Sequence, residues 1–203
     1  MEWISIIIGY LLGSIPSAVW IGKRFHKKDV RDFGSKNAGA TNTYRVFGWQ
    51  TGTIVLMVDI FKGYGALWLC SEIFGLEQQD TIIILTGIAA VIGHIFPLMA
   101  QFRGGKGVAT LAGIGAFLFP DVLIIILGIF LLVFLTTHYV SLSSITAAIS
   151  LPFISFFFGN YDQSQIVIFT ILLALLVPIT HHKNIRRLLS GSEKKINFRK
   201  KKP

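Results

Sequence analysis

The chain has 203 residues, of which 53% are hydrophobic and only 14% charged, with 17 phenylalanines and a formal charge of +9. So apolar a composition excludes an ordinary soluble domain and points to several bilayer-spanning helices. The positive charge does not make the chain a nucleic-acid binder, because the basic residues flank apolar runs and form no stripe on a soluble face. The lone Cys70 excludes an internal disulfide and any paired-cysteine metal or redox motif.

The first apolar run, 3–22, is about as long as one span and has no basic region before it, so it reads as a retained helix and not as a cleaved signal. It leads into the polar segment DVRDFGSKNAGATNTYRVFG. Gly34, Ser35, Asn37, Gly39, Ala40, Thr41 and Asn42, with Arg45 at the edge of the next span, suit a tight turn that aims backbone N–H groups at an anion. A solvated connector has the same composition.

The second run, 49–72, carries Asp59 and Lys62 on one helical face at i, i+3. Ionisable residues at membrane depth are functional or paired, and here mutual neutralisation accounts for them equally well. The third run, 81–102, contains His94, whose ring needs a polar partner or a water-filled cavity; it also suits a simple tie between helices. RGGKGVAT follows. It lacks the first glycine of a nucleotide P-loop and has glycine where that motif has Ser or Thr. It shares the physics nonetheless: Gly104, Gly105 and Gly107 let a backbone approach an anion, Lys106 supplies charge, and the helix that opens there points its N–H groups outward.

The run 107–138 is long for one span, and 139–158 opens on His138, Ser141, Ser143 and Ser144. The last run, 165–180, exits into THHKNIRRLLSGSEKK, where His181 and Asn184 share a helical face. Arg186 and Arg187 continue into a basic tail of the kind that contacts anionic lipid.

Charge sets the span count. Lys23, Arg24, Lys27, Lys28, Arg31, Lys36 and Arg45 lie in the first loop, and Arg103 and Lys106 in the second. The tail holds Lys183, Arg186, Arg187, Lys194, Lys195, Arg199, Lys200, Lys201 and Lys202, which leaves only Lys62 inside an apolar run. If 107–138 is a hairpin turning at Phe119-Pro120-Asp121, the spans number seven and all three basic segments share the cytoplasmic side. The other loops then carry Glu2, Glu72, Glu77, Asp80, Asp121 and Asp162 without a lysine or arginine. The expectation is an all-α integral membrane protein with seven transmembrane helices in a single domain, 1–203, its N-terminus outside and its C-terminus cytoplasmic. The first hairpin arm, 107–119, would be a helix only about 20 Å long.

GSIPSAVW, GSKNAGATN followed by Arg45, DIFKG, GHIFPLMAQFRGGKGVAT, SLSS and His181-x-x-Asn184 with Glu193 together resemble the bacterial acyl-phosphate:glycerol-3-phosphate acyltransferases, from about Gly9 to Glu193 and in the same order. The resemblance implies a multi-pass enzyme of the bacterial inner membrane with its active site toward the cytoplasm. It implies transfer of a fatty acyl group from acyl phosphate to the sn-1 hydroxyl of glycerol 3-phosphate, with membrane lipids around it and no cofactor, metal or nucleic acid. It specifies neither acyl chain length nor oligomeric state.

By position, the resemblance implies catalytic roles for Ser35, Arg45, Lys106, His181 and Asn184. Asn37, Thr41, Asn42, Lys62, His94, Gly104, Gly105, Gly107 and Ser143 are implied to line the substrate site, and Glu193 to maintain structure. Lys36 stands where the family has glycine, and His182 where it has a basic residue. The His-x4-Asp dyad of other glycerol-phosphate acyltransferases is absent, since Arg31 follows His26 at the spacing where that dyad has its aspartate. With no activated nucleophile either, the expectation is direct attack of the glycerol hydroxyl on an activated donor. A carrier for a phosphorylated solute would instead show internal repeats and a midplane site. A scaffold recruiting other enzymes would leave Asp59, Lys62 and His94 unexplained.

Overall fold

The computed structural model describes residues 2–77, 81–159 and 164–196. Asp80, Asp162, Arg199, Lys200, Lys201 and Lys202, which entered the charge argument, lie outside the described residues. Among the described residues there are helices and no strands. The chain divides into two compact units, 1–120 and 121–203.

In the first unit, α1 (Ile4–Gly13) and α2 (Ser17–His26) are one apolar stretch interrupted at residues 14–16. Pro16 has no N–H to continue the ladder, and it disfavours helical backbone in the residue before it. The polar segment forms a 3₁₀ turn, Val30–Asp32, and then α3 (Ala40–Phe47). Ala18, Val19, Val30, Ala38 and Val55 bury a small core beneath it. The second and third apolar runs form α4 (Trp49–Phe74) and α5 (Thr81–Ile95). After a 3₁₀ turn at Leu98–Ala100, α6 (Val108–Leu118) begins at Gly107.

Glycines set how closely these helices cross. A Cβ on Gly9 or Gly13 of α1 would collide with Thr86 or Ala90 of α5, and one on Gly63 of α4 or Gly113 of α6 would strike the backbone of Thr110 or Ile60. In a lipid environment small residues at such crossings allow the dispersion contacts that drive helix association.

The run 107–138 divides where the turn was expected. Phe119 leaves the helical region at φ −151° and ψ 65°, and α7 (Pro120–Thr137) starts at the proline. In the second unit α7 presents exposed Ile124, Leu127, Leu131, Leu132 and Leu135, a surface that suits hydrocarbon. Next come α8 (Val140–Phe158), α9 (Ser164–Thr180) and the short polar α10 (His182–Leu189). The axis bends by 62° between α9 and α10.

Among the described residues, five stretches are long and apolar enough to cross a bilayer: Ile4–His26, Trp49–Phe74, Thr81–Ala100, Pro120–Thr137 and Val140–Phe158. The bent pair Gln165–Thr180 and His182–Leu189 makes a sixth if it is one span. Val108–Leu118 is apolar but, at 11 residues, too short to cross as a straight helix.

Candidate active site

In the first unit, Asn42 organises the glycine-rich loop. It is 1% exposed and stands in the first turn of α3. Its Oδ1 accepts from the Ser35 amide at 2.8 Å, and its Nδ2 donates toward the carbonyls of Val30, Phe33 and Asn37 at 3.0–3.1 Å. The sequence suggested a residue lining a substrate site, whereas these bonds turn Asn42 inward to shape the loop that carries Ser35 and Asn37. Ser35, Asn37 and Thr41 are half-buried around it, and Arg45 occupies the last turn of α3.

Asp59, Lys62 and His94 form one buried network. Asp59 Oδ1 accepts from Ser17 Oγ at 2.7 Å and from Lys62 Nζ at 2.8 Å. Lys62 also donates at 2.9 Å to the Ile15 carbonyl in the break between α1 and α2, which accepts from the Ser17 amide at 3.0 Å as well. His94 Nδ1 lies 3.1 Å from Thr110 Oγ1 and 3.6 Å from Asp59 Oδ1. These bonds give Lys62 an interior role, tying the break between α1 and α2 to α4.

The glycine loop packs directly on this histidine. A side chain on Gly105 would collide with His94 Nε2, and one on Gly104 with the carbonyls of His94 and Ile95. The amides of Gly104 and Gly105 donate to Ile95 O and His94 O, both at 3.1 Å. These two glycines therefore seat the loop on α5 and do not point their N–H groups at a ligand. Gly107 caps α6 in the left-handed region at φ 86°, a conformation that favours glycine. The open amides of the first turn of α6 follow it, with half-buried Lys106 immediately before.

The approach to the loop is strained. Gln101 and Phe102 are both left-handed, at φ 58° and 57°, which costs roughly 1–2 kcal/mol for each residue with a Cβ. Arg31, 8% exposed, holds the carbonyls on either side of this pair, Ala100 O at 2.7 Å and Arg103 O at 3.4 Å. Asp29 grips the same guanidinium through Nε at 3.0 Å and Nη2 at 2.7 Å. The hydrogen bonds from Arg31 hold the Asp29 carboxyl down at about 2 despite partial burial. The sequence marked Arg31 as a basic loop residue standing where a His-x4-Asp dyad would have its aspartate, and gave neither it nor Asp29 a part in the site.

In the second unit, Glu193 is the hub. Its Oε1 accepts from Ser141 Oγ at 2.8 Å and Asn184 Nδ2 at 2.7 Å, and its Oε2 accepts from Arg187 Nε at 2.6 Å. Burial pushes the carboxyl up, but the bonds from Arg187, Asn184 and Ser141 outweigh it and hold the group below the ordinary glutamate range. Ser141, the first residue of SLSS, and Arg187 of the basic tail are thus partners of Glu193, a pairing that the sequence did not indicate.

His181, 3% exposed, stands at the joint before α10, and Asn184 lies one turn on. The ring's Nδ1 is 2.8 Å from Val177 O. A carbonyl only accepts, so the proton sits on Nδ1 and Nε2 is the acceptor of the neutral ring. Ser143 Oγ donates to Tyr139 O one turn back at 2.9 Å.

A family model described as Glycerol-3-phosphate acyltransferase matches residues 3–191. A protein of Fusobacterium nucleatum called Glycerol-3-phosphate acyltransferase is 47% identical over 193 residues, 95% of this chain and 97% of its own. Relatives with the same name from Salinibacter ruber and Listeria monocytogenes are 42% and 45% identical, covering 95% of this chain and 91% and 95% of theirs. Two crystal structures of PlsY (YgiH), an integral membrane glycerol 3-phosphate acyltransferase, superpose on the chain. The glycerol 3-phosphate form has a TM-score of 0.89 at 36% identity, covering 97% of this chain and 96% of that one. The lysophosphatidic acid form has 0.86 at 35%, covering 97% and 95%. The apolar helices, the ordered motifs and these matches agree: the chain belongs to the integral membrane glycerol-3-phosphate acyltransferase family.

Proposed function

We propose that the protein transfers a fatty acyl group from acyl phosphate to the sn-1 hydroxyl of glycerol 3-phosphate, releasing lysophosphatidic acid and phosphate at the cytoplasmic face of the bacterial inner membrane. The likeness to the glycerol 3-phosphate form, spanning 97% of the chain, carries the reading.

Acyl phosphate is a mixed anhydride and already activated. The glycerol hydroxyl oxygen attacks the acyl carbon, the acyl carbon–oxygen bond to phosphate breaks, and the hydroxyl proton passes to the departing phosphate. No acyl-enzyme forms. The enzyme contributes positioning and charge stabilisation, effects that each supply several kcal/mol. Arg45, Lys106 and the first-turn amides of α6 oppose phosphate charge. Ser35, Asn37, Thr41 and Ser143 line the substrates, Gly104 and Gly105 let the loop sit against His94, and Gly107 opens α6. His181 and Asn184 hold the glycerol hydroxyls, while Asn42, Lys62 and Glu193 support the loops from behind. The chain acts as one enzyme with seven crossings, α6 being the short one, its N-terminus outside and its tail cytoplasmic; the distribution of basic residues supports this orientation.

The test is turnover of radiolabelled glycerol 3-phosphate by purified protein with acyl phosphate or acyl-CoA. Lipid product with acyl phosphate alone is expected. Product with acyl-CoA alone would overturn the donor, and uptake into vesicles without product would make the protein a carrier.

A further inference from the structure

We propose that Asp29 and Arg31 form a positioning clasp that holds the turn at residues 100–103, and with it the Gly104–Gly107 loop, in register with the loop carrying Ser35. The role assigned to these loops rests on the acyltransferase reading.

Both partners lie within the first unit, and the contacts run without a gap. Asp29 caps the 3₁₀ turn by accepting from the Arg31 amide at 3.0 Å, then takes Nε and Nη2 of the same residue on its two oxygens. That fork fixes the guanidinium plane and leaves Nη1 to reach Ala100 O and Arg103 O, across 69 and 72 residues of sequence. The two carbonyls bracket the left-handed pair Gln101 and Phe102. Gly104 and Gly105 follow directly, seated on α5. On the other side Asn42 ties Val30 O to the Ser35 amide. Ser35, Asn42, Val30, Arg31, Arg103 and Gly104 thus form one chain of local bonds and neighbouring residues.

Within the clasp Arg31 grips its own turn and loop carbonyls, so losing it frees the turn without removing a helix–helix contact. Lysine keeps the charge but replaces arginine only in part, because a single ammonium lacks the planar fork that meets a carboxylate and two carbonyls together. Lys23, 3.5 Å from Asp29 Oδ2 and largely exposed, adds little.

The test uses the purified full-length chain with R31M, R31K and D29N, read by amide hydrogen exchange over residues 98–107 and by kinetics with acyl phosphate and glycerol 3-phosphate. In R31M, exchange there should quicken by about tenfold or more. The apparent KM for at least one substrate should rise about tenfold while kcat stays within threefold, with partial recovery in R31K. Unchanged exchange overturns the clasp. Faster exchange with both KM values within threefold of wild type overturns its positioning role, as does a fall in kcat alone. If R31M fails to fold, D29N decides by the same two readouts. A wild-type chain inactive with acyl phosphate refutes the acyltransferase reading instead, and the exchange measurement still decides the clasp.

Discussion

At His181 the bond from Nδ1 to Val177 O sets the tautomer, which makes Nε2 an acceptor, the character that the proposed hold on a glycerol hydroxyl requires. The same tautomer would serve a general base, and removal of a general base typically costs about 10²–10⁴-fold in rate. Acyl phosphate brings its own proton acceptor, so we expect positioning. His181→Asn should keep measurable turnover, because its amide replaces one hydrogen bond, while His181→Ala loses much more. Equal near-complete loss in both, with a wild-type rate profile titrating near pH 6–7, would assign the base role. Lys36 offers a stability test. The structure places it in the left-handed region at φ 60°, which explains why glycine suits the position. Lys36→Gly should therefore stabilise the protein by about 1 kcal/mol, read as a higher melting temperature in detergent with unchanged KM values.

Between elements, the crossings of α1 with α5 and of α4 with α6 depend on missing side chains. Two glycines of α4 make the contrast. A Cβ on Gly63 meets the Thr110 backbone, whereas one on Gly65 meets nothing within 4 Å. Gly63→Ala should destabilise by roughly 1–3 kcal/mol, the usual cost of overpacking. Gly65→Ala should be neutral or gain up to about 1 kcal/mol from helix propensity. Thermal midpoints of the two variants in one detergent check this, and equal shifts would refute the close crossing. Composition showed that the glycines were many; only the packing separates Gly63 from Gly65.

For the whole chain, the sidedness of the membrane topology is the claim to test. Asp121 is exposed at the start of α7, just after the helix break at Phe119. In a Cys70→Ala background, Asp121→Cys should react with an impermeant thiol reagent added outside intact cells. A cysteine at Lys183 should react only after the cytoplasmic side is opened. Labelling of position 121 from the cytoplasm alone would reject the seven-span orientation.

The apolar runs, the interruption at Phe119-Pro120 and the order of the motifs were legible in the sequence. Hydropathy over about 20 residues and proline's missing N–H act locally and need no partner. The family followed from the motifs, since GSKNAGATN, GGKG and His181-x-x-Asn184 are runs of neighbouring residues. The work of individual polar groups was decided by the tertiary structure. Lys62 finds Ile15 O across 47 residues, Arg31 finds Ala100 O across 69, and Glu193 finds Ser141 across 52. A buried donor or acceptor must be satisfied by whatever the fold brings within about 3 Å, and local sequence does not encode that distance. For that reason the glycines of GGKG looked alike in the sequence, yet the fold separates Gly104 and Gly105, packed on α5, from Gly107, which opens α6.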